Sequence, residues 1–241
     1  MNVQSVRSEP RGVGANLTYG LLDALGKAIV TGGFDAAPFP TEADLARHHA
    51  VSRSVTREAV KMLTAKGLLT ARPRKGTSVL PTANWNLFDP DVLRWLLDRK
   101  FSLEMLRQFS ELRIAIEPAA AALAATAGNS GATTAVRAGF DRMVAAEKGE
   151  DDPLDADIAF HIAILRASAN PFFAQFQDVV MTALRTSIRF TNRFRGHTAS
   201  LAQHHAVLAA IEARDPDAAR SAMAALIADV MTLIAEAERS G

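Results

Sequence analysis

The chain has 241 residues, of which 49% are hydrophobic, with no cysteine and a formal net charge of +1. The lack of cysteine excludes disulfides, thiol catalysis and cysteine-built zinc sites, and it predicts a reducing, cytoplasmic location. No uncharged apolar run approaches the length of a membrane span, and the first residues lack the apolar segment of a signal peptide, so we expect no membrane partner.

The charges are distributed unevenly along the chain. Residues 1–82 hold 11 Lys or Arg against 6 Asp or Glu, whereas residues 83–241 hold 16 against 20. Within residues 53–76, seven basic side chains accompany a single acid, Glu58. A basic first part and a mildly acidic second part predict that only the first part meets a polyanion, although charge alone does not exclude an ordinary solvated surface.

Three helices and a hairpin are predicted within residues 17–82, after a loose polar tail over residues 1–16. Apolar residues at helical spacing indicate the first helix, and Thr41 and Ser52 are each placed to cap the N-terminus of a further helix. Two short β-prone segments then flank a turn signal at residues 73–76. Helix, helix, tight turn, helix and basic hairpin, in that order, form a winged helix-turn-helix.

A winged helix-turn-helix reads DNA with its third helix, whose N-terminal residues lie in the major groove. Arg53 and Arg57 are one turn apart at that end, and Ser54 adds a short hydroxyl group. The basic hairpin tip, with Arg74 and Lys75, suits a wing that reaches phosphates or the minor groove. A winged helix that binds protein is the alternative, and the excess of basic side chains favours DNA.

The sequence of residues 40–80 is PTEADLARHHAVSRSVTREAVKMLTAKGLLTARPRKGTSVL. It resembles the DNA-binding domain of the GntR family of bacterial transcription regulators, which implies a homodimer on a palindromic, double-stranded operator. Ala43 stands where many members have a DNA-contacting arginine, so the operator preference is expected to differ from the commonest half-site. The resemblance implies six DNA-contacting positions, in the third helix and the wing: Arg53, Ser54, Arg57, Arg74, Lys75 and Gly76.

The remainder of the chain is predicted to be helical. Residues 83–101 predict a linker with a short helix, and residues 102–241 predict a bundle of about six helices. The sequence shows no alternation of strands and helices, no glycine-rich phosphate loop and no Gly-x-Ser-x-Gly elbow. The predicted fold class is therefore mainly α, with an N-terminal winged helix-turn-helix and a C-terminal all-α bundle.

One helix of this bundle carries two polar residues within an apolar run. Asp157 and His161 lie four residues apart in DADIAFHIAIL, a spacing that stacks both side chains on one face of a helix. The spacing alone leaves three interpretations open, namely metal ligation, acid/base catalysis and an incidental polar edge.

The helical half resembles the FCD effector domain of the fatty-acid-regulator branch of the same family. The resemblance is carried by ELRIAIEPAAAALAA, DADIAFHIAILRASANPFF and SLAQHHAVLAAIEARDPDAARSAM. It implies one divalent metal ion per subunit, zinc, nickel or manganese, held by Asp157, His161 and His204. A further histidine position of the family falls on Leu226. The alternative is that the three polar residues hydrogen-bond an effector directly, without metal.

Arginines are the candidate partners of an anionic effector. Arg113 and Glu117 form an i,i+4 pair, whose simple interpretation is a surface ion pair. The FCD resemblance implies instead that Arg113 faces the pocket, where a guanidinium binds a carboxylate in bidentate fashion. Arg185 and Arg189 are also one turn apart, and one or both are expected to enter the cavity. The predicted effector site comprises six residues: Arg113, Asp157, His161, Arg185, Arg189 and His204.

The predicted function is a transcriptional repressor whose operator binding is modulated by a small carboxylate. The segment ANWNLFDPDVLRWLLD resembles the linker of regulators that respond to galactonate, which implies a sugar acid. The alternatives are a sensor of acyl-CoA or another organic acid, an architectural DNA-binding protein, and an enzyme whose metal activates water. No general base or nucleophile pairing accompanies the candidate ligands, and an enzyme leaves the basic winged helix unexplained, so we predict no enzymatic activity.

Overall fold

The computed structural model describes four stretches of the chain and most of their side chains. The stretches are residues 13–72, 76–100, 102–194 and 200–240, and the side chains of 13–15, 188–194 and 240 are not among those described. The chain divides into two compact units, Met1–Arg99 and Lys100–Gly241.

The first unit is a winged helix-turn-helix, as the sequence predicts. Its two strands are antiparallel, with Leu69 opposite Val79 at the open end of the hairpin. Its helices and strands are α1 (Val13–Val30), α2 (Glu42–His48), α3 (Arg53–Ala65), β1 (Leu69–Arg72), β2 (Gly76–Val79) and α4 (Pro90–Leu96).

Side-chain caps fix where α2 and α3 begin. The hydroxyl oxygen of Thr41 accepts a hydrogen bond from the backbone N–H of Asp44, and Ser52 does the same for Val55. Each bond satisfies one of the N–H groups that a helix start leaves without an intrahelical partner. Both predicted caps are confirmed, and the second places Arg53 in the first turn of α3.

The predicted linker, residues 83–101, carries α4, and α4 packs against α1 within the first unit. The indole of Trp95 is fully buried, and its Nε1 donates a hydrogen bond of 2.7 Å to Asp23. Gly26 leaves the space for this ring, since a Cβ there would lie 2.3 Å from the indole. The short helix is therefore a packed part of the first unit.

The second unit is a helical bundle, as predicted. The described residues hold seven helices rather than about six, because the segment after Asn170 forms a four-residue helix of its own. Buried residues of this core include Phe160, Ile164, Val207 and Ile227. The helices are α5 (Leu103–Ala127), α6 (Ser130–Glu147), α7 (Pro153–Ala167), α8 (Pro171–Ala174), α9 (Gln177–Phe194), α10 (Leu201–Glu212) and α11 (Pro216–Ser240).

Helix α11 is long and apolar enough, by length and composition alone, to cross a membrane. It packs along α5 within the bundle, where Ala219, Met223 and Ile227 are fully buried. One such helix is weak evidence for a span, because core helices of a bundle share its composition. The expected absence of a membrane partner stays a prediction.

Candidate DNA interface and candidate metal centre

Helix α3 begins with the residues predicted to read DNA. Arg53, Ser54 and Arg57 are exposed, whereas Thr56 is buried in the core of the unit. The Nε of Arg57 lies 3.8 Å from a carboxylate oxygen of Glu42, and the arginine side chain remains 64% exposed. An exposed ion pair of this length is weak, so Arg57 is available to a base or a phosphate.

The wing is a two-stranded hairpin in which Arg72 pairs with Gly76. Gly76 has a φ of 80°, the left-handed region that favours glycine. A Cβ at this position would meet nothing within 4 Å, so backbone conformation rather than crowding accounts for the glycine. Arg74 and Lys75 lie outside the described residues, and the predicted wing contacts stay a prediction.

Ala43 is exposed in the first turn of α2. Its methyl group cannot donate a hydrogen bond to a base or to a phosphate, whereas the arginine that many GntR members have at this position can. The expected change in operator preference stays a prediction. It would arise from α2, not from α3, the predicted recognition helix.

Local sequence fixes where α7 begins and how closely it packs against α6. Asp152 caps the helix by accepting a hydrogen bond of 2.8 Å from the N–H of Asp155, and Pro153 occupies the first helical position. Helix α6 approaches α7 closely at Gly139, where a Cβ would lie 2.8 Å from the Cα of Phe160. This close packing holds the face of α7 that carries the candidate ligands inside the bundle.

Asp157 and His161 of α7 meet His204 of α10 inside the bundle. All three side chains are buried, and one candidate ligand atom from each lies within 4.8 Å of the others. The Oδ1 of Asp157 is 3.0 Å from Nε2 of His204 and 3.5 Å from Nε2 of His161. The structure therefore brings together the three residues that the sequence predicts as metal ligands.

Hydrogen bonds orient both imidazole rings of this group. The Nδ1 of His204 donates to the backbone carbonyl of Ser200 at 2.8 Å, and the Nδ1 of His161 donates to the carboxylate of Glu117. Because these oxygens can only accept, each Nδ1 carries a proton, and a neutral ring then has its lone pair on Nε2. Both Nε2 atoms lie beside Asp157.

The donor set fits a divalent metal ion. Among the described residues, Oδ1 of Asp157 and Nε2 of His204 are buried without a hydrogen-bond partner, although they lie 3.0 Å apart. Two lone-pair atoms at this distance repel unless a proton or a metal ion lies between them. Ligand atoms around a tetrahedral zinc ion at about 2.1 Å lie roughly 3.4 Å apart, which is comparable to the contacts observed.

The further ligand position of the family is not filled by a donor. Leu226 of α11 is buried among apolar side chains of the bundle core. Two imidazoles and one carboxylate are a sufficient protein set for zinc, nickel or manganese, and such a set leaves coordination positions for another molecule.

Arg113 and Glu117 of α5 adjoin this group. Both are buried, with 2% and 1% of their surfaces exposed, so the simple interpretation of a surface ion pair is wrong. The Nε of Arg113 donates to Oε1 of Glu117 at 2.5 Å, and its Nη2 lies 3.4 Å from Nε2 of His161. Sequence reasoning missed the contact between Glu117 and His161, because it joins two helices that lie 44 residues apart in sequence.

The electrostatics of this group are strongly coupled. Burial alone would raise the pKa of Glu117, but the charges of Arg113 and His161 lower it to about 2. Burial alone would lower the pKa of His161, but the charge of Glu117, the neighbouring carboxylate of Asp157 and the hydrogen bond to Glu117 raise it to about 9. Burial likewise opposes ionisation of Asp157, whose pKa is nevertheless held well below its usual range by His161 and His204. Without a metal ion, the positive Arg113 and His161 thus balance the carboxylates of Glu117 and Asp157, and an ion would replace the proton on Nε2 of His161.

The other two predicted effector residues are not part of this group as described. Arg185 is 43% exposed, and its Nη2 lies 3.4 Å from the carboxylate of Asp155, which is also exposed. The side chain of Arg189 lies outside those described. Effector contacts from these two arginines stay a prediction.

Comparison with known families gives matches to both units. The model for bacterial regulatory proteins of the gntR family matches residues 21–79, and the FCD domain model matches residues 108–229. The second match includes α7 and α10, which carry the candidate ligands.

Two Escherichia coli (strain K12) proteins are similar over most of their length. The HTH-type transcriptional regulator YieP is 34% identical over 215 residues, which cover 88% of this chain and 93% of that protein. The galactonate operon transcriptional repressor is 32% identical over 218 residues, which cover 88% and 94%. A solved structure of Lar, described as controlling the Listeria monocytogenes agr system, has the same fold, with a TM-score of 0.59 at 18% identity over 95% of this chain and 99% of that chain. The chain therefore belongs to the gntR family of bacterial regulatory proteins, with an FCD domain in its C-terminal half, and is a transcription regulator.

Proposed function

We propose that this regulator is a repressor whose operator affinity is controlled by a small carboxylate bound at a metal ion within the FCD domain. The single observation that carries the proposal is the buried group of Asp157, His161 and His204, which holds two polar atoms without hydrogen-bond partners. Unpaired buried polar atoms are costly, so their retention next to a buried arginine favours a function at this place.

The three side chains of this group would hold the ion. Asp157 supplies a carboxylate oxygen, and the orientation of each imidazole turns Nε2 of His161 and His204 toward that oxygen. When bound, the ion would supply a Lewis-acidic centre for an oxygen of an anionic ligand. Since the protein offers three ligands, positions stay free for such an oxygen.

Arg113 would bind a second oxygen of the effector. Its guanidinium is buried next to His161, and one Nε–H bond to Glu117 leaves N–H donors on both Nη atoms. A planar guanidinium recognises a carboxylate through two parallel hydrogen bonds. A carboxylate at this place therefore joins α5 to α7 and α10, and it favours the bundle geometry in which all three helices contact it.

A sugar acid is the first candidate effector. The galactonate operon repressor of Escherichia coli, named for a sugar-acid operon, is 32% identical to this chain. Sugar acids carry one carboxylate and several hydroxyl groups, which match a charged anchor inside a polar pocket. Other organic acids and acyl-CoA are the competing effectors.

The DNA part of the proposal follows from α3. A cytoplasmic homodimer would place two copies of α3 in successive major grooves, so its operator would be palindromic. Arg53 and Arg57 would read bases, and the wing would contact the backbone or the minor groove. The relatives are transcription regulators, which points away from an enzyme, and the Asp157 group is accordingly assigned to sensing.

One experiment tests the proposal as a whole. Operator fragments selected from a random library are bound to zinc-loaded protein, and affinity is measured by fluorescence anisotropy against a panel of sugar acids and dicarboxylates. We expect a sugar acid to lower operator affinity and to raise the melting temperature of the protein, and EDTA to remove both effects. The proposal fails if no carboxylate changes either quantity in the metal-loaded protein.

A further inference from the structure

We propose that Glu117 is a positioning residue, which holds His161 in the tautomer and ring orientation that offer Nε2 to the metal ion. The inference rests on the proposed function, because it requires that Asp157, His161 and His204 hold a metal. Glu117 would not touch the ion or the effector, and it would act through His161 alone.

The geometry that carries the inference is a buried carboxylate with two different partners. One oxygen of Glu117, Oε2, contacts the Nδ1 of His161, and the other oxygen, Oε1, accepts the 2.5 Å bond from Nε of Arg113. Arg113 thereby prevents the carboxylate from rotating, so its second oxygen stays directed at the imidazole. The arrangement fixes a side chain of α7 from a neighbouring helix, α5.

A carboxylate at Nδ1 affects an imidazole ligand in two ways. It accepts the ring proton at Nδ1 and so leaves Nε2 with the lone pair that a metal requires. Its negative charge also makes the ring a stronger electron donor, and carboxylate partners of metal-bound histidines typically contribute roughly 10–100-fold to metal affinity. Without Glu117, His161 could adopt either tautomer and could turn its ring.

The second histidine of the group, His204, also has an acceptor for the proton on its Nδ1, but this acceptor belongs to the backbone. The Nδ1 of His204 donates to the backbone carbonyl of Ser200, an acceptor within its own helix turn. Both rings are thus bonded at Nδ1, and both Nε2 atoms are directed toward Asp157. Only the acceptor of His161 is a side chain, so only this half of the arrangement can be removed by substitution.

A purely structural role is the competing explanation for Glu117. A buried Arg113–Glu117 pair could serve only to neutralise charge inside the bundle, and its loss would then lower stability without a specific effect on metal binding. The metal affinity of the folded protein, measured in competition with a chelator, distinguishes the two roles. It falls on loss of Glu117 if Glu117 positions His161, and it stays unchanged if the role is purely structural.

The test compares Glu117→Ala and Glu117→Gln with the full-length parent. Zinc affinity is measured by chelator competition at a temperature where circular dichroism shows each variant to be folded. Glu117→Ala is expected to lose roughly 10–100-fold in zinc affinity. Glu117→Gln keeps one acceptor oxygen without the charge, so it is expected to lose less, and it serves as the readout if the alanine variant does not fold. The matched control is Glu111→Ala, which removes a half-exposed i,i+4 pair with Arg107 from the same helix.

The outcomes separate the inference from the proposed function. If the parent binds zinc and both Glu117 variants bind it with parental affinity, Glu117 does not position His161 and the inference is wrong. If Glu111→Ala loses as much affinity as Glu117→Ala, the effect reflects helix stability, and the inference is wrong as well. If the parent itself binds neither zinc nor nickel, the proposed metal site fails, and the inference fails with it.

Discussion

The Oδ1 of Asp157 lies 3.0 Å from the Nε2 of His204, and within the described part of the chain neither atom has a hydrogen-bond partner. The two residues come from α7 and α10, and both are buried. An oxygen and a nitrogen that face each other in this way, inside an apolar bundle, are complementary to a cation.

The first prediction concerns metal binding by this group. Protein incubated with zinc or nickel and then dialysed should retain one ion per subunit, and His161→Ala should lose it. His205→Ala is the matched control, because this adjacent histidine is exposed and contacts the ring of Phe140 instead. Elemental analysis that finds no ion in the parent, even after incubation with excess metal, would contradict the assignment.

The second prediction concerns Leu226, which occupies the position of a further metal-binding histidine in the FCD resemblance. Because Leu226 stands at the further histidine position of the family, EDTA should remove the ion readily. Leu226→His should slow that removal by adding a nitrogen donor. The rate of metal loss to EDTA, followed with a metal indicator, checks this. Equal rates for the two proteins would show that residue 226 does not reach the ion.

The third prediction concerns DNA. Arg57→Ala should weaken operator binding by about 1–3 kcal/mol for each base that the arginine reads, and it should relax specificity at that base pair. Lys75→Ala, in the predicted wing, should instead weaken all sequences alike and reduce the dependence of affinity on salt. Anisotropy titrations on operator and scrambled duplexes distinguish the two effects. Unchanged operator affinity of Arg57→Ala would mean that α3 is not the recognition helix.

The fourth prediction concerns the packing that holds α7 in place. A Cβ at Gly139 would lie 2.8 and 2.9 Å from backbone atoms of Phe160, so Gly139→Ala must push α6 and α7 apart. We expect a loss of about 1–3 kcal/mol in the free energy of unfolding of the bundle. Gly131→Ala in the same helix is the control, since its Cβ would meet only a side-chain oxygen of Asn129 at 3.5 Å. Urea denaturation followed by circular dichroism checks both, and equal effects would contradict the packing argument.

The fifth prediction concerns pH and the first unit. The hydrogen bond from Trp95 and the neighbouring Arg94 lower the pKa of Asp23 below its ordinary value of 3.8, against the opposing effect of burial. A carboxyl whose pKa is lower in the folded state stabilises the fold above its unfolded pKa, and this contribution is lost as the pH falls through the folded value. Acidification below about pH 4 should therefore destabilise the first unit less in Asp23→Asn than in the parent.

Tryptophan fluorescence gives the readout for this prediction. The chain has two tryptophans, Trp85 and Trp95, and both lie in the first unit. Urea titrations at pH 3 to 6 that show the same pH dependence in both proteins would contradict the role of Asp23.

Much of the fold follows from local sequence signals. The caps at Thr41 and Ser52 and the order of helices and strands predict the winged helix, since each signal acts within a few residues. The spacing of Asp157 and His161 places them on one face for the same reason. The meeting of these residues with His204 was available only through the resemblance to the FCD domain.

The remaining contacts depend on which helices become neighbours. The contact of Glu117 with His161 joins α5 to α7, and the burial of Trp95 depends on space left by Gly26. Neither is visible in the periodicity of a single segment. Arg185 is the opposite case. Its helical spacing was compatible with a side chain that enters the cavity, but the structure places it at the surface beside Asp155.

The effector response of Arg113 variants shows whether a carboxylate bound beside the Asp157 group controls DNA binding. Arg113→Ala should keep full operator affinity, but the effector should no longer release it from the operator, because the carboxylate of the effector loses its guanidinium partner. Arg113→Lys, which keeps the charge beside Glu117 but not the planar fork, guards against misfolding in the alanine variant. Arg142→Ala is the control, since Arg142 pairs with Asp151 at the surface.

The measurement is the operator affinity of zinc-loaded protein with and without the sugar acid that acts on the parent. We expect the parent and Arg142→Ala to release operator, whereas the two Arg113 variants should stay bound at the same effector concentration. If Arg113→Ala and Arg113→Lys respond to effector as the parent does, the effector binds elsewhere, and the Asp157 group does not control DNA binding.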